Sequence, residues 1–88
     1  LATFALGSKK LYQFMHRNPG FEMHPSDVTN DPWLAGQNDN LIAINATMQI
    51  DLIGQCGSET LGFSPVSGTG GQSDFVRAAN RSNGGKAF

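Results

Sequence analysis

The chain has almost no cysteine and little charge, and both shortages exclude classes of protein. Cys56 is the single cysteine among 88 residues, so neither an intrachain disulfide nor a cysteine-rich metal framework can form. Six Lys and Arg residues are scattered among seven Asp and Glu, for a net charge of -1, and they form no basic stripe. We therefore expect no nucleic acid and no membrane as partner, and a reducing, cytoplasmic location.

Long hydrophobic runs and metal-binding spacings are also missing. The apolar opening, residues 1–6, has no basic flank and is too short for a signal or membrane-spanning segment, so it predicts a strand. His16, His24 and Cys56 lack zinc-type spacing, and no metal site is expected. The chain begins in this strand without Met and stops after a Gly-Gly turn where another strand begins. We interpret it as an excerpt of a longer protein.

Helical signals appear in three places. Ser8 is a suitable N-cap for an amphipathic helix of about ten residues. Residues 26–40 are rich in Pro, Asn and Asp and predict turns, with one helical turn at 32–34 capped by Asn30 or Asp31. A further helix is predicted from about Phe75 to Arg81.

Residues 41–53 carry the clearest periodicity, with apolar side chains at even positions and polar ones at most odd positions. This alternation predicts an aliphatic face against a core and a polar face toward a wetter side. The segment is longer than an ordinary strand of about six residues, which indicates a bend, a bulge or two consecutive strands. A second strand is predicted at 21–24. Helices and strands alternate along the chain, so the predicted fold class is α/β.

A glycine-rich loop, Gly68-Thr69-Gly70-Gly71, precedes the last helix and is the strongest local signal of a ligand site. Bare glycine lets backbone N–H groups approach an anion or a developing oxyanion, and a capped helix start adds partial positive charge. Neither the dinucleotide nor the P-loop pattern fits. A glycine-rich turn without a ligand is the alternative.

Two polar side chains are further candidates. Asn45 lies on the polar face of the alternating segment, where its amide can donate and accept in one site, or else pair with neighbouring backbone. Glu59 lies between turn-like segments and faces either a cleft or the surface.

Five segments in fixed order resemble the C-terminal half of the acetyl-CoA hydrolase/transferase family. They cover much of the chain, so the resemblance is more specific than any single glycine motif. The segments are Asn30-Asp31-Pro32, Gly36-Gln37-Asn38-Asp39-Asn40, Ala43-Ile44-Asn45-Ala46, Gln49-Ile50-Asp51-Leu52-Ile53-Gly54-Gln55 and Ser67-Gly68-Thr69-Gly70-Gly71-Gln72-Ser73-Asp74-Phe75-Val76-Arg77.

The resemblance implies that residues 1–88 are part of a CoA-transferase-type domain with a mixed sheet flanked by helices. It implies ping-pong acyl transfer through a glutamyl-CoA thioester, with the nucleophilic glutamate outside this chain. Asn45 and Gly68 would line the site for coenzyme A, which is a substrate here. Gly70 and Gly71 would follow as backbone neighbours whose N–H groups stabilise the thioester oxyanion. The implied partners are an acyl-CoA, a short-chain carboxylate, the remainder of the parent chain and a second copy in a homo-oligomer.

Three alternatives stay open at this point. A hydrolase of the same family would open the thioester with water. A noncatalytic anion-binding module would use the glycine loop alone and would fold without further chain. An interaction domain would use the loop only as a turn.

Overall fold

The computed structural model describes all 88 residues and contains four helices and three small sheets. Strands β1 and β6 pair in parallel, while β2–β3 and β4–β5 are antiparallel pairs. This mixture of helices and small sheets confirms the α/β class. In chain order the elements are α1 (Lys9–Met15), α2 (Ser26–Thr29), α3 (Pro32–Ala35), β1 (Ile42–Ala43), β2 (Gln49–Ile50), β3 (Cys56–Gly57), β4 (Thr60–Leu61), β5 (Ser64–Pro65), α4 (Gln72–Arg81) and β6 (Lys86–Ala87).

The N-terminal third follows its local sequence signals closely. Ser8 caps α1, because its side-chain oxygen accepts a hydrogen bond from the Leu11 N–H. The two segments predicted as strands meet in one parallel bridge between Ala2 and Met23. Helix α2 was not predicted, since its four residues were assigned to turns.

Helix α3 packs on α4 and fixes where α4 lies. Asp31 is the N-cap, and its carboxylate oxygen accepts from the Trp33 N–H at 2.9 Å, so the choice between Asn30 and Asp31 is settled. The Arg81 guanidinium lies 5.4 Å from the centre of the Trp33 ring, a cation–π contact between the two helices. Gly36 allows the close approach, because a Cβ there would lie 2.9 Å from the Cβ of Arg81.

The core of the chain is built from small residues. Ala43 of β1 and Ala78 and Ala79 of α4 are its buried apolar side chains, and Ser82 is its buried polar one. Such side chains let the β1–β6 pair approach α4 closely. Gly85 continues this pattern, since a Cβ there would collide with the carbonyl oxygen of Ala79.

Ser82 connects the end of α4 to the start of β1. Its hydroxyl donates to the Asn38 carbonyl at 2.6 Å and accepts from the Leu41 N–H at 3.0 Å. The buried hydroxyl is therefore satisfied both as a donor and as an acceptor, as burial of a polar group requires.

The alternating segment forms two separate strands, β1 and β2, in different sheets. The prediction that its even-numbered aliphatic face packs against a core is wrong within this chain. Ile44 is 81% exposed and Ile50 69%, whereas the buried residue is Ala43. Ala43 packs against α4. Because neighbouring side chains of a strand point to opposite faces, Ile42 and Ile44 therefore point to the open face.

Two hairpins follow where only a turn after Gly54 was expected. Strands β2 and β3 are joined by a turn in which the Asp51 carboxylate accepts from the backbone N–H groups of Ile53 and Gln55, at 2.9 and 2.8 Å. Strands β4 and β5 are joined by Gly62 and Phe63, with Gly62 at a φ of 61°. A two-residue hairpin loop requires such a positive φ, which glycine supplies.

The chain exposes more surface than a self-contained protein of its mass. Its accessible area is 7024 Å², whereas a folded monomer of this size exposes about 5,000 Å². The radius of gyration is 15.3 Å, against about 12 Å for a compact chain of this length. None of the helices has the length and apolar character needed to cross a bilayer.

Candidate functional site

A cavity of about 410 Å³ lies between the segment after β1, the β3–β4 connection and the loop before α4. It brings Asn45, Gly68 and Gly70 together, which are three of the four residues predicted to bind coenzyme A. Its full lining is Asn45, Ala46, Ser58, Glu59, Ser67, Gly68, Thr69, Gly70, Gln72 and Ser73. A cavity of similar size on the β2–β3 hairpin contains none of the predicted residues.

A hydrogen bond holds the backbone of Asn45, whereas the nitrogen of its side-chain amide has no partner. Its N–H donates to the Phe88 carbonyl at 2.9 Å, which extends the β1–β6 pairing to the cavity edge. The side-chain nitrogen Nδ2 is buried and has no hydrogen-bond partner. This donor therefore does not pair with loop backbone, the alternative left open by the sequence. An unsatisfied buried donor costs about 1 to 3 kcal/mol, which an acceptor on a ligand would recover.

The glycine loop also presents unpaired donors. The backbone N–H groups of Gly68, Thr69 and Gly70 donate to no acceptor in the chain. Neither Gly68 nor Gly70 has a positive φ, and a Cβ at either would meet nothing within 4 Å. Nothing inside this chain requires glycine there, so a close approach from outside the chain is the remaining physical reason for it.

Gly71 differs from the other glycines of the loop and does not line the cavity. It is the N-cap residue of α4, and a Cβ there would lie 2.7 Å from Asn30 Nδ2 and 3.0 Å from a ring carbon of Phe75. The helix begins at Gln72, earlier than predicted, and no side chain caps it, so the expectation of a side-chain cap is wrong. The Gly71 carbonyl accepts from the Phe75 N–H instead.

The wall opposite the loop is fixed by hydrogen bonds that sequence reasoning missed. The hydroxyl of Ser58 donates to the side-chain oxygen of Gln72, the first residue of α4. The carbonyl of Glu59 accepts from the N–H groups of Val66 and Ser67, at 2.7 and 3.1 Å. The two-residue loop starting at Gly62 is the sequence signal that would have indicated this arrangement.

The cavity offers neutral donors and one negative charge. Glu59 is the only charged residue in its lining, which contains no Lys, Arg or His. Several N–H donors around one space can bind a carbonyl oxygen and stabilise the charge it gains during acyl transfer. Two other residues named from the sequence lie outside this cavity: His24, which is hydrogen-bonded to Glu22 at 3.1 Å, and Cys56, which is exposed. No group of three or more His, Cys, Asp or Glu side chains is placed to hold a metal ion.

The chain matches a protein-family model and several known proteins. The family model of the acetyl-CoA hydrolase/transferase C-terminal domain matches residues 7–88. The chain is 59% identical, over 88 residues, to succinyl-CoA:cyclohexane-1-carboxylate CoA transferase of Geobacter metallireducens. It is 48% identical, over 88 residues, to 4-hydroxybutyrate coenzyme A transferase of Clostridium kluyveri. In both cases 100% of the chain matches 20% of the relative, so the chain spans about a fifth of the length of these curated relatives.

The same likeness extends to three dimensions. The crystal structure of RipA from Yersinia pestis superposes with a TM-score of 0.81 at 44% identity. The match covers 97% of this chain and 18% of that one.

Proposed function

The chain belongs to the acetyl-CoA hydrolase/transferase family, and we propose that its parent protein moves CoA between a short-chain acyl-CoA and a carboxylate. Both relatives named above are CoA transferases, which favours transfer to a carboxylate over hydrolysis. Residues 1–88 form a piece of the C-terminal domain in this proposal. We propose a cytoplasmic location, which the single cysteine among these 88 residues favours.

One observation carries the assignment of this chain to the CoA site. Asn45 and the loop residues Gly68 and Gly70 are far apart in sequence, yet they meet at one cavity with donors that nothing in the chain satisfies. We assign these three residues to the acyl-CoA site. Gly71 acts beside them by capping α4 and so holding Gly70 at the cavity wall.

The proposed reaction needs a carboxylate nucleophile, supplied by a glutamate of the parent protein outside this chain. The glutamate attacks the acyl-CoA carbonyl, the C–S bond breaks, and an acyl-glutamyl anhydride and CoA thiolate result. The thiolate then attacks the glutamyl carbonyl, which releases the first carboxylate and leaves a glutamyl-CoA thioester. A second carboxylate reverses these steps, takes the CoA and frees the glutamate.

The contribution of this chain is to bind and orient the thioester. The N–H groups at Gly68 and Gly70 donate toward the thioester oxygen as it gains negative charge, an effect worth about 3 to 4 kcal/mol per donor elsewhere. The Asn45 amide donates to a carbonyl of the same substrate. Because these donors exist before the substrate binds, little reorganisation is needed at the moment of reaction.

The exposed surface supports a larger assembly around this piece. Parallel strand pairs such as β1–β6 occur in sheets covered on both faces, and here α4 covers only one. We propose that the rest of the parent chain covers the open face at Ile42 and Ile44, and that the whole protein assembles as a homo-oligomer.

The test uses the full-length parent protein with acetyl-CoA and a panel of carboxylates: acetate, butyrate, 4-hydroxybutyrate and cyclohexane-1-carboxylate. The proposal expects ping-pong kinetics with at least one of them. Without an acceptor, the protein should gain the mass of one CoA less one water, and hydroxylamine should remove it. Release of free CoA at the same rate with and without a carboxylate would contradict transfer and favour hydrolysis.

A further inference from the structure

Glu59 is a charged residue on the cavity wall that the proposed reaction does not use. Its carboxylate lies within ion-pair distance of no Lys, Arg or His, and the one such contact in the structure is between Glu22 and His24. Its backbone is fixed by the two bonds that its carbonyl accepts from Val66 and Ser67. The preceding Ser58 is tied to α4 through Gln72. The backbone of Glu59 is therefore held in place on the same cavity as the glycine loop, and its carboxylate has no partner inside the chain.

The charge of the cavity argues against binding of a phosphate at the loop. A phosphate at Gly68 and Gly70 would meet the negative charge of Glu59 with no Lys, Arg or His in the lining to offset it. Arg77 lines an adjoining cavity that shares Glu59 and Ser58, and it does not line this one. The P-loop adds a lysine to its backbone N–H groups, and the residues of this chain that line the cavity include no lysine.

The same groups suit an amide. An amide presents one N–H donor and one carbonyl acceptor, and the cavity offers the reverse pair: a carboxylate acceptor on Glu59 and the unpaired Nδ2 donor of Asn45. The pantetheine arm of CoA carries two amides between the thioester and the diphosphate. A hydrogen bond from an amide N–H to a carboxylate is charge-assisted and stronger than a neutral one.

We propose that Glu59 is a specificity-determining residue that selects the ligand by charge: it accepts a hydrogen bond from a pantetheine amide N–H and keeps free anions away from the glycine loop. This inference rests on the proposed function, because it assigns one part of acyl-CoA to the cavity. It differs from an anion-binding role for the loop, since the thioester and the pantetheine arm are uncharged when they bind, whereas a phosphate brings its full negative charge to the cavity that Glu59 lines.

The test compares the full-length parent protein with its Glu59→Gln variant, using acetyl-pantetheine as the reporter ligand. This ligand carries no phosphate, so competition by inorganic pyrophosphate against it reports on the cavity and not on a separate diphosphate site. We expect wild-type protein to bind acetyl-pantetheine without interference from pyrophosphate. Glu59→Gln should bind it about three- to tenfold more weakly, because a charge-assisted bond becomes neutral, and pyrophosphate should now compete.

Matched variants separate charge from shape. Glu59→Asp keeps the charge and should still exclude pyrophosphate, although its shorter reach weakens acetyl-pantetheine binding. Glu22→Gln removes the same charge outside the cavity and should behave as wild type. Both Glu59 variants should fold, since the Glu59 side chain makes no hydrogen bond within the chain and is exposed.

The outcomes distinguish this inference from the proposed function. If wild-type protein binds acetyl-CoA and transfers CoA, but Glu59→Gln matches it with both probes, the role of Glu59 is overturned while the function stands. Competition by pyrophosphate in wild-type protein also overturns it. If wild-type protein binds neither acetyl-CoA nor acetyl-pantetheine, the proposed function fails and the inference fails with it.

Discussion

The hydroxyl of Ser58 donates a hydrogen bond to the side-chain oxygen of Gln72, and this bond joins the β3–β4 connection to the first residue of α4. The two segments that it joins carry the two sides of the cavity, with Glu59 on one and the loop through Gly70 on the other. This side-chain bond acts together with the backbone bonds from Val66 and Ser67 to the Glu59 carbonyl, which also join the two sides of the proposed site.

Removal of this bond should loosen the site. In the full-length protein, Ser58→Ala should raise the KM for acetyl-CoA about two- to tenfold, because a net hydrogen-bond contribution of about 0.5 to 1.5 kcal/mol is lost from the geometry of the wall. Amide hydrogen exchange in the peptide covering 66–71 should become faster. Ser64→Ala is the matched control, since Ser64 is exposed on β5 outside the cavity. Equal KM values for all three proteins would refute the role of the bond.

Adjacent glycines of the loop should respond differently to the same added methyl group. Gly71→Ala should lower stability by about 1 kcal/mol, because its Cβ would press on Asn30 and Phe75. Gly70→Ala should leave the melting temperature unchanged, since its Cβ meets nothing in the chain. The added methyl group should nevertheless lower kcat/KM for acetyl-CoA about tenfold, because it keeps the substrate away from the backbone N–H groups of the loop. Thermal melts and initial rates on both variants check this. The assignment fails if the two variants show the same pattern.

Ser82→Ala should destabilise the junction between α4 and β1. The change leaves the Leu41 N–H and the Asn38 carbonyl without their partner in a part-buried place, at a cost of about 1 to 3 kcal/mol. Hydrogen exchange of the peptide that covers 38–43 should accelerate more than that of α1. Slow, wild-type exchange in this peptide would show that the two bonds contribute little.

Local chemistry in the sequence predicted the elements that it alone determines. The Ser8 and Asp31 caps, the end of α4 at Arg81 and the strand at Lys86 all agree with the structure. The two caps depend on groups within a few residues of one another, a side-chain oxygen and the N–H groups of the following turn.

Burial and pairing between distant segments were predicted less well. The alternating pattern from Leu41 to Ile53 indicated strands, but not which face is covered, because that depends on how β1 packs against α4, which lies far along the chain. The two hairpins between residues 49 and 65 were missed because their signals are single glycines and one aspartate, Asp51, rather than a periodicity.

The site was predicted in part, and for a different reason. The glycine loop and Asn45 were singled out from local chemistry, and their role in binding coenzyme A came from the family resemblance. Their convergence on one cavity arises from long-range pairing of β1 with β6 and packing of both on α4. No local sequence pattern indicates the role of Ser58, since its hydrogen bond to Gln72 joins two segments that are distant in the sequence.

The most direct test of the CoA-site assignment is titration calorimetry of the full-length protein with acetyl-CoA, comparing wild type with Asn45→Ala. Asn45 Nδ2 is buried without a partner, so its removal should not lower the melting temperature, while the affinity for acetyl-CoA should fall about tenfold, or about 1.4 kcal/mol. Asn80→Ala, which removes an exposed amide on α4 outside the cavity, should change neither quantity by a comparable amount. An Asn45→Ala protein that binds acetyl-CoA as tightly as wild type would contradict the account.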